Sequence, residues 1–301
     1  MTTISRVSTA QQYDTLLDAM KKTKGDIQSV TQEISTGLVS DVYETSSGRT
    51  GISLELRNSK AVADTYITAN TLIAGKMDTA ANLLGAARDT ARDVQSVLIQ
   101  DQAWINDPTT LRQTARAALE GIVTQFNTAY GGEYLFSGQA TDTPPFVADG
   151  AGGYTYQGDA TGDFRARIDV DAATALTIAP RADSPEIRAT IDALSALANA
   201  DYEAMSVADR AAFGASQMGA LGAGLDGLIA LEAAHGSAQS TLEAKIASQR
   251  NLSAGYNNTI MEVEGADPEE AATRLAASKA KLDSTYAVTA QLYQLSLLNH
   301  I

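Results

Sequence analysis

Residues 66–98 read YITANTLIAGKMDTAANLLGAARDTARDVQSVL, and their spacing decides the fold class. Tyr66, Ile73, Ala80, Ala87 and Val94 recur every seven residues, and Met77, Leu84, Ala91 and Leu98 run beside them, four further on. Two adjacent apolar rows with that beat are the a and d rows of a helix that lies along another helix. Alanine holds three of these nine places. It favours helix but buries little area, which suits thin helical layers better than a deep globular core. The helix is expected over about 52–104, and Asn106-Asp-Pro108 breaks it, with Pro108 placed to start the next one.

The same beat appears towards the N-terminus. Tyr13, Met20, Ile27 and Ile34 fall seven apart, with Leu16 and Val30 three after members of that series, while Thr23 and Lys24 interrupt the seam. Gly37 is placed to cap this helix, and residues 40–51 read as a loop. Beyond Pro108, Leu111, Ala115, Leu119, Ile122, Phe126 and Tyr130 form one face of a helix over about 109–130. At Gly131-Gly132 the composition turns to Gly, Asp, Thr and Pro, and Tyr154–Tyr156, Arg165–Val170 and Leu176–Ile178 read as short strands. Helix resumes at Ser184-Pro185-Glu186, with Ile187, Ile191, Leu194 and Leu197 on one face. A long helix is expected over about 216–264, carrying Leu221, Leu225, Leu228, Leu242, Ile246, Tyr256, Ile260 and Val263. Asp267, Pro268 and Glu270 then form a capping-box start for a last helix, through Leu275, Leu282, Tyr286, Leu292, Leu295 and Leu298.

The expected fold is mainly α: a long antiparallel helical bundle or coiled coil built by the N- and C-terminal halves, with a small β-rich domain inserted at the tip. The divisions are 1–44 with 265–301 as terminal helices, 45–130 with 216–264 as the helical bundle, and 131–215 as the insert. The ends must pair, because neither has enough apolar width to be stable alone.

Composition narrows the function. The net charge is −14, which argues against a nucleic-acid partner and against an anionic membrane surface. Residues 131–215 hold 13 Asp+Glu against 5 Lys+Arg, a well-solvated and outward-facing segment. Cysteine is absent, so disulfides and thiolate metal sites are excluded. No apolar run approaches the ~20 residues of a membrane span, and the start Met1-Thr-Thr-Ile-Ser-Arg-Val lacks the apolar core of a cleavable signal. Gly222-Ala-Gly224-Leu-Asp-Gly227 has dinucleotide-binding spacing, but no strand precedes it and Asp226 would oppose phosphate. A row of small residues, Gly219, Ala223 and Gly227, that admits a neighbouring helix explains it better. His235 and His300 have no ligand partners at metal spacing, and Ser137 lacks the nucleophile-elbow pattern. No catalytic, cofactor-binding or metal-binding residue is assigned, no cofactor is expected, and the reading is not that of an enzyme.

Three stretches resemble the flagellin superfamily, and within it the hook-associated proteins that join flagellar hook to filament. They are Gln32-Glu-Ile-Ser-Thr-Gly37, closing the first helix; Gly132-Glu-Tyr-Leu-Phe-Ser-Gly138 with Thr141–Phe146 and Tyr156-Gln-Gly-Asp159; and the ending Leu295-Ser-Leu-Leu-Asn299. The loop Leu38–Ser46 departs from the Pro- and Asp-rich loop that the family often shows. The resemblance implies a structural subunit exported through the flagellar secretion apparatus without a cleaved signal peptide. It implies a ring of copies between the first hook-associated protein and the flagellin filament, and an export chaperone on the C-terminal helix. The expected assembly interface is Tyr13, Leu16, Met20, Ile27, Val30 and Ile34 at one end and Leu292, Leu295 and Leu298 at the other. Ordering a tail costs about 1–2 kcal/mol of backbone entropy per residue. Residues 292–301 should therefore stay disordered until neighbours cover their leucines, and the same is expected of 1–44 and 265–301 at large. The opposing reading folds Leu292, Leu295 and Leu298 back on the chain's own first helix. Alternative functions are a flagellin filament subunit, a cytoplasmic signalling helical hairpin, and a nucleotide-dependent enzyme resting on Gly222–Gly227.

Overall fold

A computed structural model describes residues 2–40, 50–101, 103–169 and 175–298. The helices are α1 (Thr2–Thr36), α2 (Thr50–Asp101), α3 (Ala103–Asn106), α4 (Pro108–Phe126), α5 (Pro185–Asn199), α6 (Val207–Glu264) and α7 (Pro268–Leu298). Six short strands lie between α4 and α5: β1 (Ala129–Tyr130), β2 (Glu133–Tyr134), β3 (Phe146–Ala148), β4 (Tyr154–Tyr156), β5 (Phe164–Arg167) and β6 (Ala175–Ala179). They pair as three antiparallel ladders, β1 with β2, β3 with β4 and β5 with β6. The fold is mainly α with small strand pairs in an inserted region. Residues 41–49, Val170, His300 and Ile301 lie outside the described residues, as do the side chains of Tyr13, Leu295 and Leu298.

The chain forms two compact units. Unit 1 is Met1–Ala63 with Asn251–Ile301, and unit 2 is Asp64–Arg250. The divisions fall inside α2 and α6, deeper than the 44/45 and 264/265 points that the loop and the Asp267-Pro268 signal suggest. Polar contacts at the base of these helices, described below, draw their ends into unit 1.

Unit 2 is organised by the rows quoted at the outset. Met77, Ala80, Leu84, Ala87, Ala91, Val94 and Leu98 are all buried. α6 runs antiparallel to α2: Asn70 Nδ2 donates to Gln249 Oε1 at 2.9 Å, His235 Nε2 sits 2.8 Å from the Met77 carbonyl, and Arg88 pairs with Glu232. Leu221, Leu225 and Leu228 of α6, Ile187, Leu194 and Leu197 of α5, and the buried face of α4 complete the main core. The insert joins that core through aromatic rings. Phe126 at the end of α4 meets Phe136 edge-on at 4.8 Å, and Phe146 meets Tyr156 at 6.0 Å. A smaller cluster of Met77, Ile168, Ile178, Leu242 and Ile246 fastens β5 and β6 to the long helices. The acidic insert is thus solvated on one side only.

Several boundaries move. α4 stops at Phe126, and Tyr130 belongs to β1 and not to the helical face. α6 begins at Val207 and not near 216, because Ser206 caps it: the Asp209 amide donates to Ser206 Oγ at 3.2 Å, and that hydroxyl donates to Asp209 Oδ2 at 2.7 Å. The small-residue face of α6 is also shifted. A Cβ at Gly224 would lie 2.5 Å from Thr190 Oγ1, and one at Gly227 2.8 Å from Glu186 Cβ, whereas Gly219 faces open space. Gly222–Gly227 is therefore a helix-crossing site against α5, which closes it to a pyrophosphate.

Phe136 is fully buried at the junction of α4 and the insert. Phe136→Ala is expected to cost unit 2 about 3–5 kcal/mol. A urea titration followed by the fluorescence of Trp104, the chain's one tryptophan and a member of the same core, reads that loss.

Candidate assembly interface

Unit 1 is built on the pairing of α1 with α7. The two helices run antiparallel: Glu33 meets Arg274, the Lys24 ammonium sits 5.9 Å above the Tyr286 ring, and Met20 Sδ lies 4.0 Å from Thr289 Oγ1. On α1 the covered row is Leu16, Met20, Thr23, Ile27 and Val30, and on α7 it is Ala271, Leu275, Ser278, Leu282, Thr285, Thr289 and Leu292. Thr23, which reads as an interruption, sits within the seam. Its hydroxyl donates to the Ala19 carbonyl at 2.8 Å, so it is satisfied within its own helix and its methyl packs like a small apolar group.

Ile34 departs from the seam. It is 44% exposed, and the neighbouring Glu33 turns inward in its place. Of the three C-terminal leucines, Leu292 belongs to the covered row of α7. At about 100° per residue, positions 295 and 298 fall roughly 60° and 120° around the helix from 292. The side chains of Leu295 and Leu298 lie outside the described residues.

The joint between the helix pair and the long helices is a short backbone clasp. Leu38 and Gly265 form an antiparallel bridge, the Val39 amide donates to the Glu264 carbonyl at 2.8 Å, and the Ala266 amide donates to the Gly37 carbonyl at 2.9 Å. Gly37 adopts φ 71°, and its amide closes the last turn of α1 onto the Glu33 carbonyl, the capping role read from its position. Asp267 caps α7 through the amides of Glu269 at 2.8 Å and Glu270 at 3.3 Å. The Glu270 carboxylate lies 3.9 Å from Arg274, so it serves an ion pair on the helix surface.

Unit 1 differs from unit 2 in where its apolar surface lies. Among the described residues its buried apolar side chains are Val30, Ala63, Ile260 and Ala271, and both buried hydrophobic clusters lie in unit 2. Ile34, Ile52, Leu54, Val62, Leu252, Met261, Tyr286 and Val288 are exposed instead, Leu54 by 65%. Charge is partitioned the same way. Unit 1 holds 10 Lys+Arg against 13 Asp+Glu, and unit 2 holds 12 against 23. A nearly neutral body with a thin core and many uncovered large side chains is suited to being covered by neighbours. Ile52, Leu54, Val62, Leu252 and Met261 were not among the residues picked out by spacing. Leu54, Val62, Leu252 and Met261 lie outside the a and d rows, Ile52 stands on the a row two heptads before Tyr66, and the available signal was the presence of large apolar residues at positions a two-helix packing leaves wet.

His235 is buried in the main helix packing with its ring on a backbone carbonyl, and Ser137 is buried with its hydroxyl donating to the Thr143 carbonyl at 2.5 Å. Both are structural members of unit 2. Among the described residues no group of three His, Cys, Asp or Glu is placed to hold a metal, and no helix is long and apolar enough to cross a membrane.

Val30 is the most buried large side chain of the α1 seam. Val30→Asp sets an unpaired charge there and is expected to strip helical signal from α1 and α7 while the unit 2 melt stays within about 1 kcal/mol of wild type. Far-ultraviolet circular dichroism alongside Trp104 fluorescence separates the two.

Comparison with known proteins places this architecture. Residues 7–141 match the bacterial flagellin N-terminal helical region, and residues 218–301 match the bacterial flagellin C-terminal helical region. The fold is similar to that of a Vibrio parahaemolyticus protein assigned to the flagellar hook-associated proteins, with a TM-score of 0.59 at 11% identity over 73% of this chain and 99% of that one. It is also similar to Bacillus cereus FlgL, with a TM-score of 0.54 at 18% identity over 71% of this chain and 100% of that one. No curated protein matches the chain in sequence. Two terminal regions that pair as α1 with α7, both matched by flagellin regions and separated by an insert, establish that the chain belongs to the bacterial flagellin family.

Proposed function

We propose that the chain is a structural subunit of the bacterial flagellum at the hook–filament junction, and that it polymerises through unit 1. The observation that carries the reading is the apolar surface of unit 1: four buried apolar residues against eight large exposed ones among the described residues. A body of that kind gains most of its burial from neighbours, and copies related by a ring operation supply it. Unit 2 carries its own core and most of the acid, which suits the solvent-facing part of a polymer.

The hook-associated reading is preferred over a filament subunit because the Gly132–Gly138 stretch, with Phe146 and Tyr156, resembles the entry to the outer domain of hook-associated proteins. The likeness in fold to the Vibrio and Bacillus proteins supports the same choice. On this reading the partners are further copies of the chain, the first hook-associated protein on one side, flagellin on the other, and an export chaperone on α7 before secretion. On this reading neighbouring copies cover the distal ends of α1 and α7. Export proceeds through the flagellar secretion apparatus. A nucleotide-dependent activity loses its motif to the α5–α6 crossing, and a cytoplasmic signalling hairpin loses its ground to the family assignment.

Leu295→Asp tests the joint. The purified variant is expected to melt as wild type, while flagella carrying it show hooks with detached or missing filaments in electron micrographs. An earlier melt of the monomer would assign Leu295 to the chain's own fold. A wild-type melt with a normal number of filaments per hook would remove α7 from the joint, and long filaments grown from the purified wild-type chain would move the assignment to a filament subunit.

A further inference from the structure

Glu33 and Glu264 are the two buried carboxylates among the described residues, and they stand on either side of the Leu38–Gly265 bridge. The Glu264 side chain has no exposed surface and that of Glu33 keeps only 4%. Glu264 accepts Arg57 Nε at 3.0 Å on one oxygen and a second Arg57 nitrogen on the other, a two-pronged pairing, and it also accepts the Ser53 hydroxyl. Glu33 accepts the Ser40 amide at 3.1 Å and the Ser40 hydroxyl at 2.9 Å on one oxygen, and Arg274 on the other. The two carboxylates together tie the end of α1, the start of α2, the end of α6 and the start of α7. Among the described residues the buried apolar side chains of the same body are Val30, Ala63, Ile260 and Ala271, so charge carries an unusual share of the closure. All of these groups lie within unit 1.

We propose that Glu33 and Glu264 form an acid-sensitive latch beside the Leu38–Gly265 bridge, which fastens α1 to α7 through Arg274 and α2 to α6 through Arg57 while both are ionised and loosens these helix ends and the bridge between them when they take up protons. Protonation halves the pairing on each side. It leaves a guanidinium with a neutral partner and puts a proton on an oxygen that now accepts a donor, so a closed joint becomes an uncompensated one. Arg57 holds the Glu264 carboxyl below its usual range. Burial pushes the Glu33 carboxyl up, but the Ser40 amide and hydroxyl and Arg274 outweigh it, and it too lies below its usual range. The charged groups facing the pair are Arg57 from α2 and Arg274 from α7, with Glu270 of α7 3.9 Å from Arg274. Because both carboxyls titrate lower in the folded chain than in the open one, their contribution is whole above about pH 4.3, the unfolded value, and is lost as pH falls through the folded values. The latch is therefore closed at neutral pH and opens in acid. The proposal concerns the single chain and stands apart from the junction reading.

The experiment is hydrogen exchange on the full chain from pH 7 to pH 3, expressed as protection relative to intrinsic rates, on wild type and on Glu33→Gln/Glu264→Gln. In wild type, residues 33–40 and 260–268 should be protected at pH 7 and lose up to about tenfold of that protection per pH unit for each glutamate below about pH 4.3. The double variant should already lack this protection at pH 7 and show no acid step. Residues 111–122 of α4 should keep theirs in both proteins across the acid step. Wild-type protection in the double variant at pH 7, or an acid step that it shares with wild type, would overturn the latch. Loss of α4 protection at the same pH as the joint would replace it with global acid unfolding.

Discussion

Two helices that meet along small side chains bury little surface per turn, and the long helices here are built from such side chains. In unit 2 the shortfall is made up by width. α4, α5 and the strand pairs lie against α2 and α6, and Phe126, Phe136, Phe146 and Ile187 add large buried groups to the rows of Ala80, Ala87 and Ala91. Unit 1 has no such third layer among the described residues. Its α1–α7 seam uses Thr23, Ser278, Thr285 and Thr289 where a self-sufficient coiled coil would use leucine or isoleucine. The hydrophobic deficit of unit 1 is the constraint from which the exposed apolar residues, the polar joint and the low charge all follow.

That deficit also explains the division of labour between the units. The proposed polymer subunit would use one part that folds alone and one part that contact with neighbours completes. Unit 2 carries 23 Asp+Glu against 12 Lys+Arg and both hydrophobic clusters. Unit 1 is close to neutral and keeps Leu54, Val62, Leu252 and Val288 in solvent. Self-repulsion is therefore weakest where copies are proposed to meet.

The joint of unit 1 shows how a polar solution can replace an apolar one. Backbone pairing at Leu38–Gly265 fixes the path of two chain segments but covers little surface. Buried carboxylates with guanidinium partners supply directionality, because their hydrogen bonds are satisfied in one arrangement of four helix ends. In the proposed polymer, such directionality would hold the ends of α1 and α7 in one arrangement for neighbouring copies to meet.

Helix content, the order of elements, the β-rich insert and the antiparallel pairing of the two ends were legible in the sequence, since seven-residue rows, Pro108, Gly37 and Asp267-Pro268 act through local sterics and hydrogen bonds that need no tertiary context. The Gly132–Gly138 stretch was legible as a family resemblance, and its physical meaning emerged only with Phe126, Phe146 and Tyr156 in place around Phe136. Periodicity picked out Leu16, Met20, Ile27, Val30 and Leu292 for an assembly interface; in the folded chain they line the α1–α7 seam, while Ile34 is exposed. The turn from Ile34 to Glu33 depends on Arg274, which is 241 residues away in sequence, and no local pattern announces such a partner. Likewise the pairing of Glu264 with Arg57, the seating of Gly224 and Gly227 on α5, and the exposure of Leu54 were decided by which segments the folded chain brings together. Local spacing determines which face of a helix can be covered; the chain's three-dimensional path determines what covers it, and in unit 1 it leaves much of that surface exposed among the described residues.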